Sequence, residues 1–221
     1  TWVIVVFTFL AGINFSLLYA IVRGRIKDAL RSEELRWYLL ILAVTIGLIC
    51  VDLHVELGQG WYESAKDAAF QATTIMSTTG YATKDFTLWP TFSRCILVLL
   101  MYVGGCAGST AGGMKISRLM LQVKSLRREL DRIIHPNRVS VITMDGQSVD
   151  ERAVTSAHMF QVAYLLILIA GTLVVSLDVL GFTESFVASL TCISNVGPSL
   201  GALGPMANFA PLSWFSKLVL A

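Results

Sequence analysis

The sequence STTGYA, residues 77–82, places three hydroxyl side chains, a glycine and an aromatic ring directly after an amphipathic stretch. A helix that ends here carries roughly half a negative charge at its C-terminus, where unpaired carbonyl groups favour a cation. Gly80 permits backbone angles that hinder other residues, so a chain that turns back here can direct its carbonyl oxygens toward one axis. We therefore predict a cation site with backbone ligands from Thr79 and Gly80. Thr78 and Tyr81 complete the predicted ion-binding segment.

A second segment, SNVGPSLG at residues 194–201, follows another short apolar stretch. The positions that match residues 78–81 are Asn195, Val196, Gly197 and Pro198, so the resemblance described below implies ion binding there, with carbonyl ligands from Val196 and Gly197. The alternative for either segment is a turn between helices, since glycine is common in turns. Because two such segments follow two equivalent short stretches, we favour cation binding over a turn.

The composition indicates an integral membrane protein. Hydrophobic residues make up 55% of the 221 residues and charged residues 14%, whereas a soluble domain averages about 25% charged. Mean hydropathy is +0.67. The net charge of +2 is small, so nothing points to a nucleic-acid partner, and a membrane is the expected environment.

Hydropathy separates long apolar stretches from short ones. A membrane span needs about 20 apolar residues, and the candidates are residues 2–22, 37–57, 95–114, 153–177 and the start of a fifth at 206–221. Residues 64–77 and 184–194 are too short, since a 14-residue helix reaches only about 21 Å. Each leads into a glycine segment, which favours a re-entrant helix whose non-helical continuation lines water or is buried in protein.

The basic residues give an orientation. Of 17 Lys and Arg residues, five follow the first candidate span and eight separate the third from the fourth. These are Arg23, Arg25, Lys27, Arg31 and Arg36, and then Lys115, Arg118, Lys124, Arg127, Arg128, Arg132, Arg138 and Arg152. The positive-inside rule places both groups in the cytoplasm. The spans then alternate only if both short stretches enter and leave on the outer side.

The order of elements repeats along the chain. An outward span, a short helix, a glycine segment and an inward span occupy residues 37–114, and the same order begins again at 153–221. Between them, 137–150 predicts a small cytoplasmic ribbon with a hairpin turn at Asp145 and Gly146. The predicted fold is an all-α integral membrane protein of repeated helix–pore loop–helix units with a small β-ribbon. Its predicted parts are 1–36, 37–134, 135–152 and 153–221.

Five glycines fall within residues 104–113, late in the third candidate span. Each costs about 1 kcal/mol relative to alanine in a helix, so the helix is expected to unwind there. A nucleotide-binding loop is rejected because its Gly-Lys-Ser/Thr succession is missing: Met114 separates Gly113 from Lys115. Close helix packing through small residues and a mobile polar segment beside an aqueous path both remain open, and we favour the second.

These motifs together carry a family resemblance. TTGYA is similar to the TVGYG filter of potassium channels, with Ala82 in place of the last glycine, and SNVGPS keeps the central glycine. With GGCAGSTAGGMK at 104–115 and IHPNRV at 134–139, the chain resembles the membrane subunit of bacterial Trk-type potassium uptake systems, in the superfamily of TrkH, KtrB and HKT. The resemblance covers nearly all 221 residues.

The resemblance implies four imperfect repeats in one protein, of which this sequence holds the end of the second, the third and an incomplete fourth. It implies K⁺ as the transported ion with no bound cofactor, a multi-pass place in the bacterial inner membrane, a homodimer, and a cytosolic nucleotide-binding subunit similar to TrkA. The glycine cluster would be an intramembrane gate. The residues implied for that gate are Gly104, Gly105, Gly108, Ser109, Thr110, Gly112, Gly113 and Lys115. Because the sequence starts and stops within apolar stretches, we expect a longer protein.

Two other function classes compete with potassium uptake. A sodium-coupled secondary carrier also uses broken helices, but it predicts one substrate pocket and does not explain two filter-like segments. An intramembrane enzyme needs a nucleophile with a base, or metal ligands, at membrane depth. The sequence has no Gly-x-Ser-x-Gly and no His-Glu-x-x-His motif, so we expect no enzymatic activity.

Overall fold

A computed structural model describes residues 1–135, 141–178 and 181–221 of the chain. In these ranges the chain is mainly helical. The helices are α1 (Trp2–Ala11), α2 (Phe15–Val22), α3 (Ile26–Arg31), α4 (Glu33–Leu57), α5 (Trp61–Met76), α6 (Thr91–Val103), α7 (Ile116–Ile134), α8 (Glu151–Val175), α9 (Phe182–Ile193) and α10 (Trp214–Leu220). The strands β1 (Thr143–Met144) and β2 (Gln147–Ser148) lie between α7 and α8.

Two helices are long and apolar enough to cross a membrane, α4 and α8 with its 3₁₀ extension to Asp178. They confirm the predicted helices at 37–57 and 153–177, although α4 begins earlier, at Glu33. Acidic side chains in the first turn of a helix stabilise it through its dipole, and Glu33 and Glu34 occupy that turn. Both helices expose large aliphatic side chains along their outer faces, as lipid-facing helices do.

The first candidate span, residues 2–22, is bent rather than straight. The helices α1 and α2 meet at 110° and form a third possible span only if they are taken together. Asn14 starts the new helix, since its Oδ1 accepts a hydrogen bond of 2.8 Å from the Ser16 amide. Gly12 lies against the ring of Tyr38, where a Cβ would come within 2.5 Å of the hydroxyl oxygen. The bend therefore depends on a small residue followed by a capping residue.

The third candidate span also ends early. Helix α6 stops at Val103, and residues 104–115 form a non-helical segment, called the glycine loop below. Gly104 has φ +69°, a conformation that favours glycine. The unwinding predicted from the glycine cluster is thus confirmed. The fifth candidate, 206–221, is helical only from Trp214, where α10 begins.

The predicted ribbon is present but short. Strands β1 and β2 pair antiparallel around Asp145 and Gly146, which both have positive φ, 51° and 78°. Ile142, just before β1, is buried in a small cluster with Leu121 of α7. The predicted ribbon began at Asn137, and residues 136–140 lie outside the described residues.

The helices pack as two similar pairs. Helix α5 lies against α4, and α9 lies against α8. Helix α6 contacts α4, α5 and α9 and supplies buried side chains to the main core, among them Leu97, Leu100 and Met101. This arrangement brings the C-terminal ends of the two short helices α5 and α9, and the segments that follow them, toward each other.

Candidate functional site

The first glycine segment, residues 77–82, leaves the end of α5 through two unusual backbone conformations. Thr78 and Gly80 both have positive φ, 54° and 73°. The Thr79 amide donates back to the Thr74 carbonyl at 2.9 Å, so the chain folds over the helix end. The Ser77 and Thr79 hydroxyls hydrogen-bond each other at 2.8 Å.

The second glycine segment, residues 194–199, repeats this geometry at the end of α9. Asn195 and Gly197 have φ of 57° and 106°. The Val196 amide donates back to the Thr191 carbonyl, again at 2.9 Å. Ser194 is held from outside the segment, since its Oγ lies 2.6 Å from the Tyr164 hydroxyl of α8.

The two segments lie against each other. A Cβ on Gly80 would come 2.0 Å from the Val196 carbonyl oxygen and 2.9 Å from Pro198 Cδ. A Cβ on Gly197, by contrast, would meet no heavy atom within 4 Å. One glycine therefore permits close contact between segments, and the other faces open space.

The carbonyl groups of both segments are largely unpaired. Among the described residues, no hydrogen bond ends on the carbonyls of Thr78, Thr79, Gly80, Tyr81, Asn195, Val196 or Gly197. The Pro198 carbonyl differs, because it accepts the Thr191 hydroxyl at 3.0 Å. A run of free carbonyl oxygens beside an open face is suited to hold a cation.

Side-chain metal sites are not evident. In the described parts of the chain, no three His, Cys, Asp and Glu side chains group closely enough to hold a metal ion. That the glycine segments bind a cation through backbone oxygens stays a prediction.

The glycine loop contacts both glycine segments. The Gly112 amide donates to the Thr78 hydroxyl at 2.8 Å. A Cβ on Gly112 would come 2.1 Å from the Ser194 carbonyl oxygen, so glycine is required for that approach. Within the loop, a Cβ on Gly104 would lie 2.4 Å from the Gly112 carbonyl oxygen. These two glycines make their close contacts with non-helical backbone, which differs from the helix packing considered as the alternative.

The loop is also tied to the bend between α1 and α2. The Cys106 amide donates to the Gly12 carbonyl at 2.9 Å, and the Gly108 carbonyl accepts from the Phe15 amide at 3.0 Å. Thr110 Oγ1 donates to the Ala11 carbonyl at 3.1 Å. These contacts were not predicted from the sequence.

Glu34 contacts the glycine loop, and this contact was not predicted from the sequence. Its Oε1 accepts hydrogen bonds from the Ala107 amide at 2.6 Å and the Ser117 amide at 3.2 Å. Glu34 is only 7% exposed. The available signal was an acidic pair at the start of a membrane helix, since a buried carboxylate there needs hydrogen-bond donors.

An acidic residue on each short helix holds the chain that returns after the glycine segment. Asp67 of α5 is buried and lies 2.6 Å from Lys84 Nζ. Glu184 of α9 accepts a hydrogen bond of 2.8 Å from the Ala202 amide. Neither contact was predicted from the sequence.

Comparisons with known proteins point to one family. A family model, TrkH, described as a cation transport protein, matches residues 1–221. The chain is 30% identical over 223 residues to the Trk system potassium uptake protein TrkH of Salmonella typhimurium, covering 99% of this chain and 45% of that protein. It is 31% identical over 220 residues to the Trk system potassium uptake protein TrkI of Halomonas elongata, covering 99% and 44%.

A solved structure shares the fold. The crystal structure of the potassium transporter TrkH from Vibrio parahaemolyticus superposes with a TM-score of 0.88 at 30% identity, covering 98% of this chain and 47% of that one. The chain spans about half the length of the curated relatives it matches. From the family model, the relatives and the shared fold together, the chain belongs to the TrkH family of cation transport proteins.

Proposed function

We propose that the protein carries K⁺ across the bacterial cytoplasmic membrane, and that its two glycine segments are two quarters of a selectivity filter. The observation that carries the proposal is the run of unpaired carbonyls in both segments, at matched positions after two short helices. Carbonyl oxygens of this kind replace the hydration shell of K⁺ in potassium filters. The names of the relatives, which are potassium uptake proteins, support the same ion.

In this proposal α5 and α9 are re-entrant helices and the glycine segments are pore loops. Both helices are shorter than the helices long enough to span, α4 and α8. Their C-termini direct the negative end of the helix dipole toward the proposed cation path. Thr79 and Gly80 supply ligands from one segment, and Val196 and Gly197 supply them from the other.

The glycine loop is the proposed gate. Its Gly112 touches the first segment through the Thr78 hydroxyl and the second through the Ser194 carbonyl. A segment in contact with both filter quarters can obstruct the path between them. Three of its glycines, Gly104, Gly108 and Gly113, have positive φ, so the loop is built on conformations that favour glycine.

The proposal includes a homodimer and a cytosolic nucleotide-binding subunit, placed against the basic helix α7. The names of the relatives refer to a system rather than a single chain, which supports a partner. The Arg128 guanidinium hydrogen-bonds the Glu151 carboxylate, which raises the pKa of Arg128, so Arg128 stays charged at physiological pH while paired with Glu151. The multi-pass location in the inner membrane belongs to the same proposal.

A sodium-coupled carrier is the second candidate, and it is not favoured. It would need one solute pocket at a helix break. The matched pair of carbonyl segments offers two half-sites of the same kind instead. The carrier predicts transport of an organic solute that depends on Na⁺, which a flux measurement separates from K⁺ conduction.

The test is ion flux into liposomes that contain the full-length protein. We expect K⁺ to be preferred over Na⁺, and Gly80→Ser to lower that preference about tenfold, or ~1.4 kcal/mol, because its side chain would displace the Val196 carbonyl. Gly24→Ser is the matched control, since Gly24 also has positive φ, +80°, but no heavy atom within 4 Å of its Cβ position. Equal K⁺ and Na⁺ flux through the parent protein would reject the proposal.

A further inference from the structure

Glu34 makes a contact that joins the two ends of the glycine loop. One carboxylate oxygen accepts from the Ala107 amide, early in the loop, and from the Ser117 amide, just beyond its end. Between these two donors lie Gly108, Gly112 and the residues that reach the glycine segments. The carboxylate therefore bridges the two sides of this part of the loop.

The burial of Glu34 strengthens the two hydrogen bonds that it accepts from the loop. A buried carboxylate is stable only with good hydrogen bonds, and hydrogen bonds to charged groups are about twice as strong as neutral ones. With 7% of its surface exposed, Glu34 loses most of its access to water. Moving the loop away would leave the carboxylate without its two donors.

The residue before it, Glu33, links the same helical turn to the cytoplasmic elements. The Glu33 carboxylate pairs with Lys124 of α7. The Glu33 amide donates to Asp145 Oδ1, in the turn of the ribbon, at 2.6 Å. Lys124 also donates to the Thr143 carbonyl of β1 at 2.6 Å. The start of α4 thus contacts the ribbon and α7 on one side and the glycine loop on the other.

We propose that Glu34 is the positioning residue that holds the glycine loop in its obstructing conformation. It acts through the loop backbone and touches no ion. The contacts of Glu33 give a route by which a displacement of α7 or the ribbon reaches Glu34. The inference rests on the proposed function, because it assigns a holding contact to the proposed gate.

The test compares Glu34→Ala and Glu34→Gln with the parent, as basal K⁺ flux into liposomes without a cytosolic partner. We expect Glu34→Ala to raise flux about tenfold, or ~1.4 kcal/mol, because the obstructing conformation of the loop loses both hydrogen bonds to Glu34. Glu34→Gln should raise it less, because the amide oxygen still accepts both bonds. The control is Glu56→Ala, an exposed acid at the other end of α4, which should leave flux unchanged.

A second background separates positioning from general damage. Deletion of residues 108–112 removes the part of the loop that Glu34 holds, so it should raise flux by itself. Glu34→Ala should then add nothing, because coupled changes are not additive, and K⁺ preference over Na⁺ should stay as in the parent. An unchanged flux in Glu34→Ala, or an equal increase in both backgrounds, would overturn the inference.

Two further outcomes are decided by the same measurements. If Glu34→Ala fails to fold, Glu34→Gln in both backgrounds carries the test, and equal increases would again overturn it. A parent protein without K⁺ preference would reject the proposed function itself. If the parent protein prefers K⁺ but Glu34→Ala leaves its flux unchanged, only this inference would be rejected.

Discussion

The first glycine segment follows a helix of 16 residues and the second a helix of 12, yet both pass through the same backbone turns. In each, the residue two after the helix end has positive φ, and so does the glycine two residues later. In each, the residue that follows the first positive-φ residue donates its amide to a threonine carbonyl of the preceding helix at 2.9 Å. The turn is therefore set by the residues at the helix end and not by the length of the helix.

The support behind the two segments differs in its chemistry. Asp67 and Glu184 each lie thirteen residues before the glycine of their segment. Asp67 holds the returning chain by an ion pair with Lys84, whereas Glu184 holds it through the Ala202 amide. The repeat thus keeps an acid in one place while its partner changes from a side chain to the backbone. This difference makes the two segments separable by mutation.

The largest expected difference concerns the two glycines themselves. Gly80→Ala places a Cβ 2.0 Å from the Val196 carbonyl oxygen, so the neighbouring segment must move and both K⁺ preference and thermal stability should fall sharply. Gly197→Ala meets no atom within 4 Å, and its cost is that of an unfavourable φ, about 1–3 kcal/mol. Thermal unfolding and ion preference measured on both variants check the comparison. Equal losses at both positions would contradict it.

The acidic supports give the second difference. Asp67→Asn removes the ion pair, and Lys84, 44% exposed, can turn to water. We expect a loss of about 1–2 kcal/mol, between the values for exposed and buried pairs, with a reduced K⁺ preference. Glu184→Gln keeps an oxygen acceptor for the Ala202 amide and should cost less than about 1 kcal/mol.

Unfolding midpoints and flux ratios of the two variants, measured together, test this order. Lys84→Met is a useful companion to Asp67→Asn, because it removes the same ion pair by changing the exposed partner. It leaves Asp67 buried and unpaired, so it should be the more damaging of the two changes. A larger effect from Glu184→Gln than from Asp67→Asn would contradict the assigned supports.

The parts of the fold that hydropathy predicted are those whose stability depends on composition. Helices α4 and α8 were predictable because a helix that crosses a membrane needs about 20 predominantly apolar residues. The unwound glycine loop was predictable because five glycines weaken any helix. Both glycine segments were recognised because their turns depend on adjacent residues, and the structure brings them together; that they bind an ion stays a prediction.

The parts that could not be predicted depend on contacts distant in sequence. Glu34 bonds amides that are 73 and 83 residues away, and no local pattern marks such partners. The bend at Gly12 is held by the Cys106 amide. The apolar run of residues 2–22 therefore predicted a straight span instead. The contact of Gly80 with Val196 likewise exists only after α5 and α9 have packed.

The smallest expected difference lies in how each segment fixes its first serine. Ser194 is held by the Tyr164 hydroxyl at 2.6 Å, from a helix outside the segment. Ser77 is held by Thr79 at 2.8 Å, within its own segment. Tyr164→Phe keeps the ring, which packs edge-on against Tyr102 at 5.4 Å, and removes only the hydroxyl. We expect a loss of about 1 kcal/mol in stability, the usual net value of one hydrogen bond.

A double-mutant cycle isolates that bond from the rest of the tyrosine. Ser194→Ala removes the other partner, and the double variant Tyr164→Phe/Ser194→Ala should be no less stable than Tyr164→Phe alone, because the buried serine hydroxyl is then no longer left without a partner. Ser77→Ala, the matched change in the first segment, should show no such coupling with Tyr164→Phe, since its hydroxyl bonds Thr79 instead. Additive losses for Tyr164 and Ser194 would show that the Tyr164 hydroxyl of α8 does not hold the second segment.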